Sequence, residues 1–384
     1  MEKSSVKKNG MFTIKEISQQ PDVWNKTYEI IFSQRHLIAG FFNELNDGNY
    51  DMVLTGAGSS AFIGNAVYGV RMKDQKQPSR IVPTTELITH PDYFLLRNKP
   101  TVLVSFARSG NSPESMAAVE LVNNYCSNPY HIIITCNETG DLFLKTASER
   151  TLKILLPPET NDLSLAMTSS FTSMMLAFVL ISKIDTLDDE RENVKRIGAW
   201  GNTILNEYGE SISKIASIDF KRAVFLGSGP LRGTAEESHL KLQELTDGAV
   251  ICAFNSFLGF RHGPKAVVNN KTLLVYLFDD DENSRKYEYD LVRQINSGNK
   301  GIAQIALSHK PLNISNVNFD LNICFGKAEK SEAQIEYLCI AEVMLAQLLG
   351  YYKSLSLGLD PDNPSVSGTI SRVVEGVKIY KLKF

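Results

Sequence analysis

Two groups of residues in this chain have the types and spacing to do chemistry. The first is the run from Ser105 through Ala107, Arg108, Ser109, Gly110, Asn111 and Ser112, followed at once by Pro113 and Glu114. Before it stands a β-branched apolar run, Val102-Leu103-Val104, of the kind that forms a strand buried on both faces. Pro suits the first position of a helix and Glu its first turn. A strand ending in hydroxyls, a glycine and an arginine just before a helix start makes a cradle for an anion. Taken alone, the loop also reads as an ordinary polar turn. The second group is Glu237, Lys241 and Glu244, at i, i+4 and i+7 on one helix face, with Arg261-His262-Gly263-Pro264 further on. A carboxylate base and an imidazole that titrates near neutrality are what proton shuttling needs. The same spacing also reads as a solvated ion-pair ladder, and His262 as a capping or packing residue.

The elements that must position these groups belong to a chain of ordinary globular composition. Its 384 residues, 43% apolar and 22% charged, are enough for two domains. A net charge of −3, from 40 basic and 43 acidic residues, leaves no footprint for nucleic acid or an acidic membrane. With no apolar run of membrane-spanning length and a polar, lysine-bearing start, no transmembrane helix or signal peptide is expected. The five cysteines are scattered and odd in number, which fits buried thiols in a cytoplasmic protein. The six histidines show no metal-ligand spacing, so neither a metal nor a cofactor is expected.

Residues 1–10 read as disordered. Thr13 and Glu16 form a capping box, T-x-x-E, for a helix that Gln20-Pro21 interrupts, and helix resumes from Asp22 to about Leu45, where Asn46-Asp47-Gly48-Asn49 stops it. Met52-Val53-Leu54 is a short strand leading into Gly56-Ala57-Gly58-Ser59-Ser60, a second strand, glycine-rich turn and helix. Its glycine spacing does not match the dinucleotide fingerprint. Helix Thr85–His90, the Val102 strand, helix Pro113–Tyr125, strands Ile132–Thr135 and Leu152–Leu156, and a long helix from about Leu163 to Ile184 follow. The alternation implies parallel sheets covered on both faces.

An internal repeat organises the whole. Gly56-Ala57-Gly58 is matched by Gly227-Ser228-Gly229, Thr101–Val104 by Thr272–Val275 and Ile132–Thr135 by Ala303–Ala306, all 171 positions on. Three elements in one register indicate two copies of one α/β unit. The copies differ at the cradle: after Tyr276, Leu277 and Phe278 the second reads Asp279-Asp280-Asp281-Glu282, and four carboxylates do not hold a phosphate. One anion site, in the first half, is expected. Asn255–Gly259 reads as an irregular, exposed apolar segment suited to a subunit contact.

At this point the residues carry a resemblance. The chain resembles the SIS, or sugar isomerase, family, with tandem domains as in the isomerase half of glucosamine-6-phosphate synthase. The resemblance rests on Lys15-Glu16-Ile17 with Gln20-Pro21, Gly58-Ser59-Ser60, Ser109-Gly110-Asn111-Ser112, Leu242-Gln243-Glu244-Leu245, His262-Gly263-Pro264 and the tail Asp362-Asn363-Pro364 through Gly368 and Arg372-Val373-Val374. The tail is most similar to a branch of tagatose-6-phosphate ketose/aldose isomerases, or galactosamine-6-phosphate deaminase/isomerases. The resemblance implies an α/β fold of two doubly wound, mainly parallel sheets, with a helical segment at 1–45, domains at 46–190 and 217–354, a helical connector at 191–216 and a tail at 355–384 lying over the active site. It implies that Gly58, Ser59, Ser60, Arg108, Ser109 and Ser112 hold the phosphate of a hexose or hexosamine 6-phosphate. The family's first loop serine falls on Ala107, with Ser105 two residues earlier as a further candidate. Glu244 matches the base that moves a proton between C1 and C2, Lys241 its support and His262 the ring-opening histidine, supplied in the synthase by a neighbouring subunit. Arg372 stands nearest the synthase's tail lysine, and Thr168 and Ser169 are candidates for reading the sugar. A homo-oligomer, at least a dimer with shared sites, is expected. With no amidotransferase half in this sequence, ammonia release is the expected direction; a non-deaminating isomerase and a non-catalytic sugar-phosphate sensor are the alternatives.

Overall fold

The structure is a computed structural model and describes residues 9–380 other than 46–48, 76, 147, 328, 330 and 375. The expected disorder of the first residues and most of the 46–49 helix stop therefore lie outside the described residues. Three helices open the chain: α1 (Met11–Ser18), α2 (Gln20–Ser33) and α3 (Arg35–Glu44). The capping box is not formed. Helix α1 begins at Met11 behind Gly10, so Thr13 and Glu16 lie inside it and their side chains reach other segments. The Thr13 N–H and hydroxyl both donate to Asp362 Oδ1, at 2.7 and 2.8 Å. Glu16 accepts from the backbone N–H groups of Leu163 and Ser164 and from the Ser164 hydroxyl.

The first half contains β1 (Asp51–Thr55), α4 (Ser59–Val67), β2 (Ser79–Ile81), β3 (Thr101–Ala107), α5 (Pro113–Tyr125), β4 (Pro129–Thr135), β5 (Thr151–Leu155) and α6 (Ser169–Ser182). A 30-residue helix, α7 (Leu187–Ala216), leads into the second half, starting four residues before the expected connector. There follow β6 (Arg222–Leu226), α8 (Leu231–Leu245), β7 (Ile251–Asn255), β8 (Thr272–Leu277), α9 (Glu282–Asn296), β9 (Ala303–Ser308), β10 (Leu321–Cys324) and α10 (Ile335–Ser356). The sheets run β2-β1-β3-β4-β5 and β7-β6-β8-β9-β10, parallel throughout. The two orders are the same, as the 171-residue repeat requires. Strands β1, β3, β8 and β9 are buried along their whole length, which is why they read as unbroken apolar runs.

The halves meet through α4 and α8. A Cβ on Gly233 would stand 2.4 Å from the backbone N of Ala66, so only glycine lets these helices approach so closely. Beside it Asn65 Nδ2 donates to Glu236 Oε2 at 2.6 Å, a pair itself separated by 171 positions. Helices α6 and α10 fill the centre. A buried polar chain ties them to α2: Gln20 Nε2 donates to Gln347 Oε1 (2.7 Å), Thr172 Oγ1 to Gln20 Oε1 (2.7 Å) and Trp24 Nε1 to Thr172 Oγ1 (3.0 Å). Helix α10 is long and apolar enough to cross a membrane, yet it is mostly buried, packed on α7 and α8 as the core helix of the second half.

Two further expectations are corrected. The helix expected from Leu163 starts at Ser169, because Asp162 folds back to cap it: its carboxylate accepts from the N–H groups of Thr168 (2.8 Å) and Ser170 (2.9 Å). Residues 163–168 are a loop. Asn255–Gly259 is not irregular: the strand β7 reaches Asn255 and a short helix, Phe257–Phe260, buries both phenylalanines, leaving Leu258 exposed. The second-half carboxylates are structural. Asp281 caps α9, and Asp280 pairs with Arg285 (2.9 Å) and His309 (2.5 Å).

Candidate active site

Both strand–turn–helix units of the first half deliver their turns to the same end of the sheet. After β1, Gly58 turns the chain with φ 55° and ψ −132°, a conformation that favours glycine, and starts α4 at Ser59. After β3, Arg108–Gly110 turns the chain into α5, whose N-cap is Ser112. The Ser112 hydroxyl accepts from the Ser115 N–H (3.3 Å) and pairs with the Ser115 hydroxyl (2.7 Å). Between the turns lies a pocket lined by Ala57, Ser60, Phe106, Ala107, Arg108, Ser109, Gly110, Ser112, Glu114 and Ser115, by Met167 from the 163–168 loop, and by Arg372, Val373 and Val374 from the tail. Small residues, four serine hydroxyls and the start of a 13-residue helix are the composition of an oxyanion site.

Not every expected ligand is there: Gly58 and Ser59 form the turn and the start of α4 but do not line the pocket. Ser105 is inside β3 and buried, with its hydroxyl unpartnered, and does not line the pocket; the strand alternation points it elsewhere. Thr168 and Ser169 are fully buried around the cap of α6, their hydroxyls donating to Asp162, and neither lines the pocket. Arg108 does line it, but three of its five N–H donors are engaged: Nη1 reaches the carbonyls of Ser164 (3.2 Å) and Leu165 (3.1 Å), and Nη2 the carbonyl of Arg372. Burial lowers the pKa of this guanidinium, Asp162 opposes the shift and neighbouring Arg372 adds to it. Arg372 in turn donates from Nε to the Asp162 carbonyl (2.8 Å) and from Nη2 to Asn161 Oδ1 (2.9 Å).

The proton-handling group comes from α8, on the other half. The solvated-ladder reading fails: Lys241 is 1% and Glu237 0% exposed. The Lys241 ammonium lies 2.6 Å from Glu244 Oε2 and 3.2 Å from Glu237 Oε1. Burial alone would lower the lysine pKa, but the two carboxylates raise it above its ordinary value, so the ammonium is held charged. Burial pushes Glu237 up to about 7, against the pull of Lys241. Glu244 is the outermost of the three, its side chain 23% exposed, and it contributes to the field at Arg108. Ser59, at the start of α4, works against the rise of Glu237, which places the glycine turn beside the buried ion set. His262 stands apart. It is exposed, in the turn after the Phe257 helix, and lines no part of this chain's own pocket.

Four contributors were missed from sequence. Asp162, Glu16 and Asp362 brace the loop and tail around the pocket, and Met167 lines it. Asp362 and Glu16 sit in stretches that carry the family resemblance; Asp162 stands directly before the helix start expected at Leu163, but serves one that begins at Ser169.

This fold and site define a tandem sugar-isomerase protein. No family model matches the chain. It is 37% identical to the D-galactosamine-6-phosphate deaminase AgaS of Shewanella sp. strain ANA-3, over 96% of this chain and 92% of that one. Among solved structures, a protein of Clostridium novyi NT superposes with a TM-score of 0.94 at 38% identity, covering 97% of this chain and 96% of the other. The tagatose-6-phosphate ketose/aldose isomerase of Escherichia coli superposes with a TM-score of 0.88 at 34% identity, covering 98% of each. The chain belongs to the AgaS family of sugar isomerases.

Proposed function

We propose that the chain is a deaminating aldose–ketose isomerase that converts galactosamine 6-phosphate to tagatose 6-phosphate and ammonia. The observation that carries this reading is the buried Glu237–Lys241–Glu244 set, whose outer member lies close enough to the pocket's Arg108 to act on its charge, in a full-length relative of named deaminases. The phosphate sits on Ser60, Ser109, Ser112 and the first N–H groups of α5. His262 assists ring opening. Glu244 takes the C2 proton of the open aldehyde, giving a C1–C2 enolamine, and returns the proton to C1. The resulting ketimine adds water at C2 and expels ammonia, leaving the ketose. Lys241 keeps Glu244 in place between proton transfers.

The exposed position of His262, beside the exposed apolar residues Ile251, Leu258 and Val267, supports a homo-oligomer, at least a dimer, in which each site borrows the histidine of a neighbour. The five cysteines are unpaired, as in a cytoplasmic protein. The name of the Escherichia coli structure favours a second reading, a simple isomerase using the same base on a neutral ketose phosphate. Both readings share the proton transfer, and running the reaction in D₂O tests it. The product should carry deuterium at C1 to the extent that Glu244 exchanges its proton with solvent before returning it, and hydrogen from C2 otherwise; Glu244→Gln should lose about 10²- to 10⁴-fold in kcat, the usual worth of a general base. A Glu244→Gln enzyme keeping most of its activity overturns the assignment.

A further inference from the structure

We infer that Arg108 is a positioning residue that latches the C-terminal tail over the pocket, rather than a ligand of the phosphate. The inference rests on the sugar-phosphate reading of the pocket. An arginine in an anion site ordinarily presents its donors to the anion. Here three donations go to main-chain carbonyls, two on the 163–168 loop and one on the tail, and the residue is only 7% exposed.

The two segments it joins differ in how firmly they are held. The loop is fixed from both sides, by Glu16 on Leu163 and Ser164 and by Asp162 on the start of α6. The tail is tied down at Asp362, whose carboxylate takes the N–H groups of Phe12 and Thr13 and whose carbonyl takes the Leu165 N–H (3.0 Å). Beyond that point it is largely exposed, Val366 at 81%, until it reaches Arg372. There the fastening is reciprocal. Arg372 gives its side chain to Asp162 and Asn161 and its carbonyl to Arg108. The next two residues, Val373 and Val374, line the pocket, so holding the Arg372 carbonyl sets the wall that faces the substrate. Pro364 and Ser365 are buried and belong with the hinge at Asp362, so hinge and latch at Arg372 make residues 366–371 a flap. Arg108 thus acts on how well the pocket excludes water around the enolamine, while the phosphate rests on the hydroxyls beside it.

The test uses Arg108→Lys, which keeps charge and most of the volume, alongside Arg108→Met. A lysine is a point charge and cannot reproduce a planar fork on three carbonyls. Two readouts are free of turnover: the rate of trypsin cleavage after Arg372, followed by mass, and the Kd of inorganic phosphate by calorimetry. The latch predicts cleavage faster by about tenfold or more in Arg108→Lys, a phosphate Kd changed less than about fivefold, and a lower kcat. An unchanged cleavage rate, or a phosphate Kd weakened fivefold or more in Arg108→Lys, overturns it. Wild-type protein that binds no phosphate refutes the pocket reading itself, whereas phosphate bound normally beside an unchanged tail refutes the latch alone.

Discussion

Glu288, on α9, is fully buried, and burial pushes its carboxyl up to about 8, with Asp279 adding to the push and Arg285 opposing it. A carboxyl whose folded pKa lies above its unfolded value contributes stability that is complete below about pH 4.5 and is lost as pH rises towards 8. Glu342 on α10, fully buried and without a hydrogen-bond partner, is shifted in the same direction by burial and by Glu288. Stability against thermal unfolding should therefore fall from pH 5 towards pH 8.5, by up to about 1.4 kcal/mol per pH unit for each such group. Glu288→Gln should flatten that slope and raise the melting temperature at pH 8.5; an unchanged slope contradicts the assignment. Single residues are where the sequence was least legible. The i, i+4, i+7 pattern of Glu237, Lys241 and Glu244 is the same for a solvated ladder and a buried ion set, and only the packing of α8 decides between them. Arg108 carries the same ambiguity: its type announces an anion, but carbonyls brought from residues 164, 165 and 372 engage its donors.

At the scale of elements, the proposed function depends on α4 and α8 meeting closely, since one starts at the glycine turn of the pocket and the other carries the proposed base. Gly233→Ala places a methyl against the backbone of Asn65 and Ala66, and backbone cannot step aside as a flexible side chain does. The substitution should cost about 1–3 kcal/mol in unfolding experiments and lower kcat more than it raises KM. Full stability with full activity contradicts the view that this contact sets the site. Elements were far more legible than side chains. Strands buried on both faces announce themselves as apolar runs, and α5 was bounded correctly at both ends by Pro113 and by the loss of pattern after Tyr125. The errors came where a long-range partner overrode a local signal: Asp362 takes Thr13 from its capping box, and Asp162 moves the start of α6 to Ser169.

For the whole molecule, the repeat was the most informative feature, since it fixed two sheets of one topology and placed the sole expected cradle in the first half. The contact between the halves, by contrast, left little mark beyond a glycine at 233. The assembly makes its own prediction. If His262 serves a neighbour's site, Glu244→Gln and His262→Ala enzymes, each inactive or nearly so, should regain activity when unfolded together and reassembled, because a mixed pair contains one site with both residues intact. No recovery places His262 outside the shared site.

The central claim is that the proton transfer ends in deamination. It is tested most directly by measuring ammonia and ketose together when the protein is given galactosamine 6-phosphate. The account predicts one ammonia for each tagatose 6-phosphate formed, with both lost in Glu244→Gln. Conversion of tagatose 6-phosphate to an aldose phosphate, with no ammonia from the amino sugar, contradicts it and leaves an isomerase.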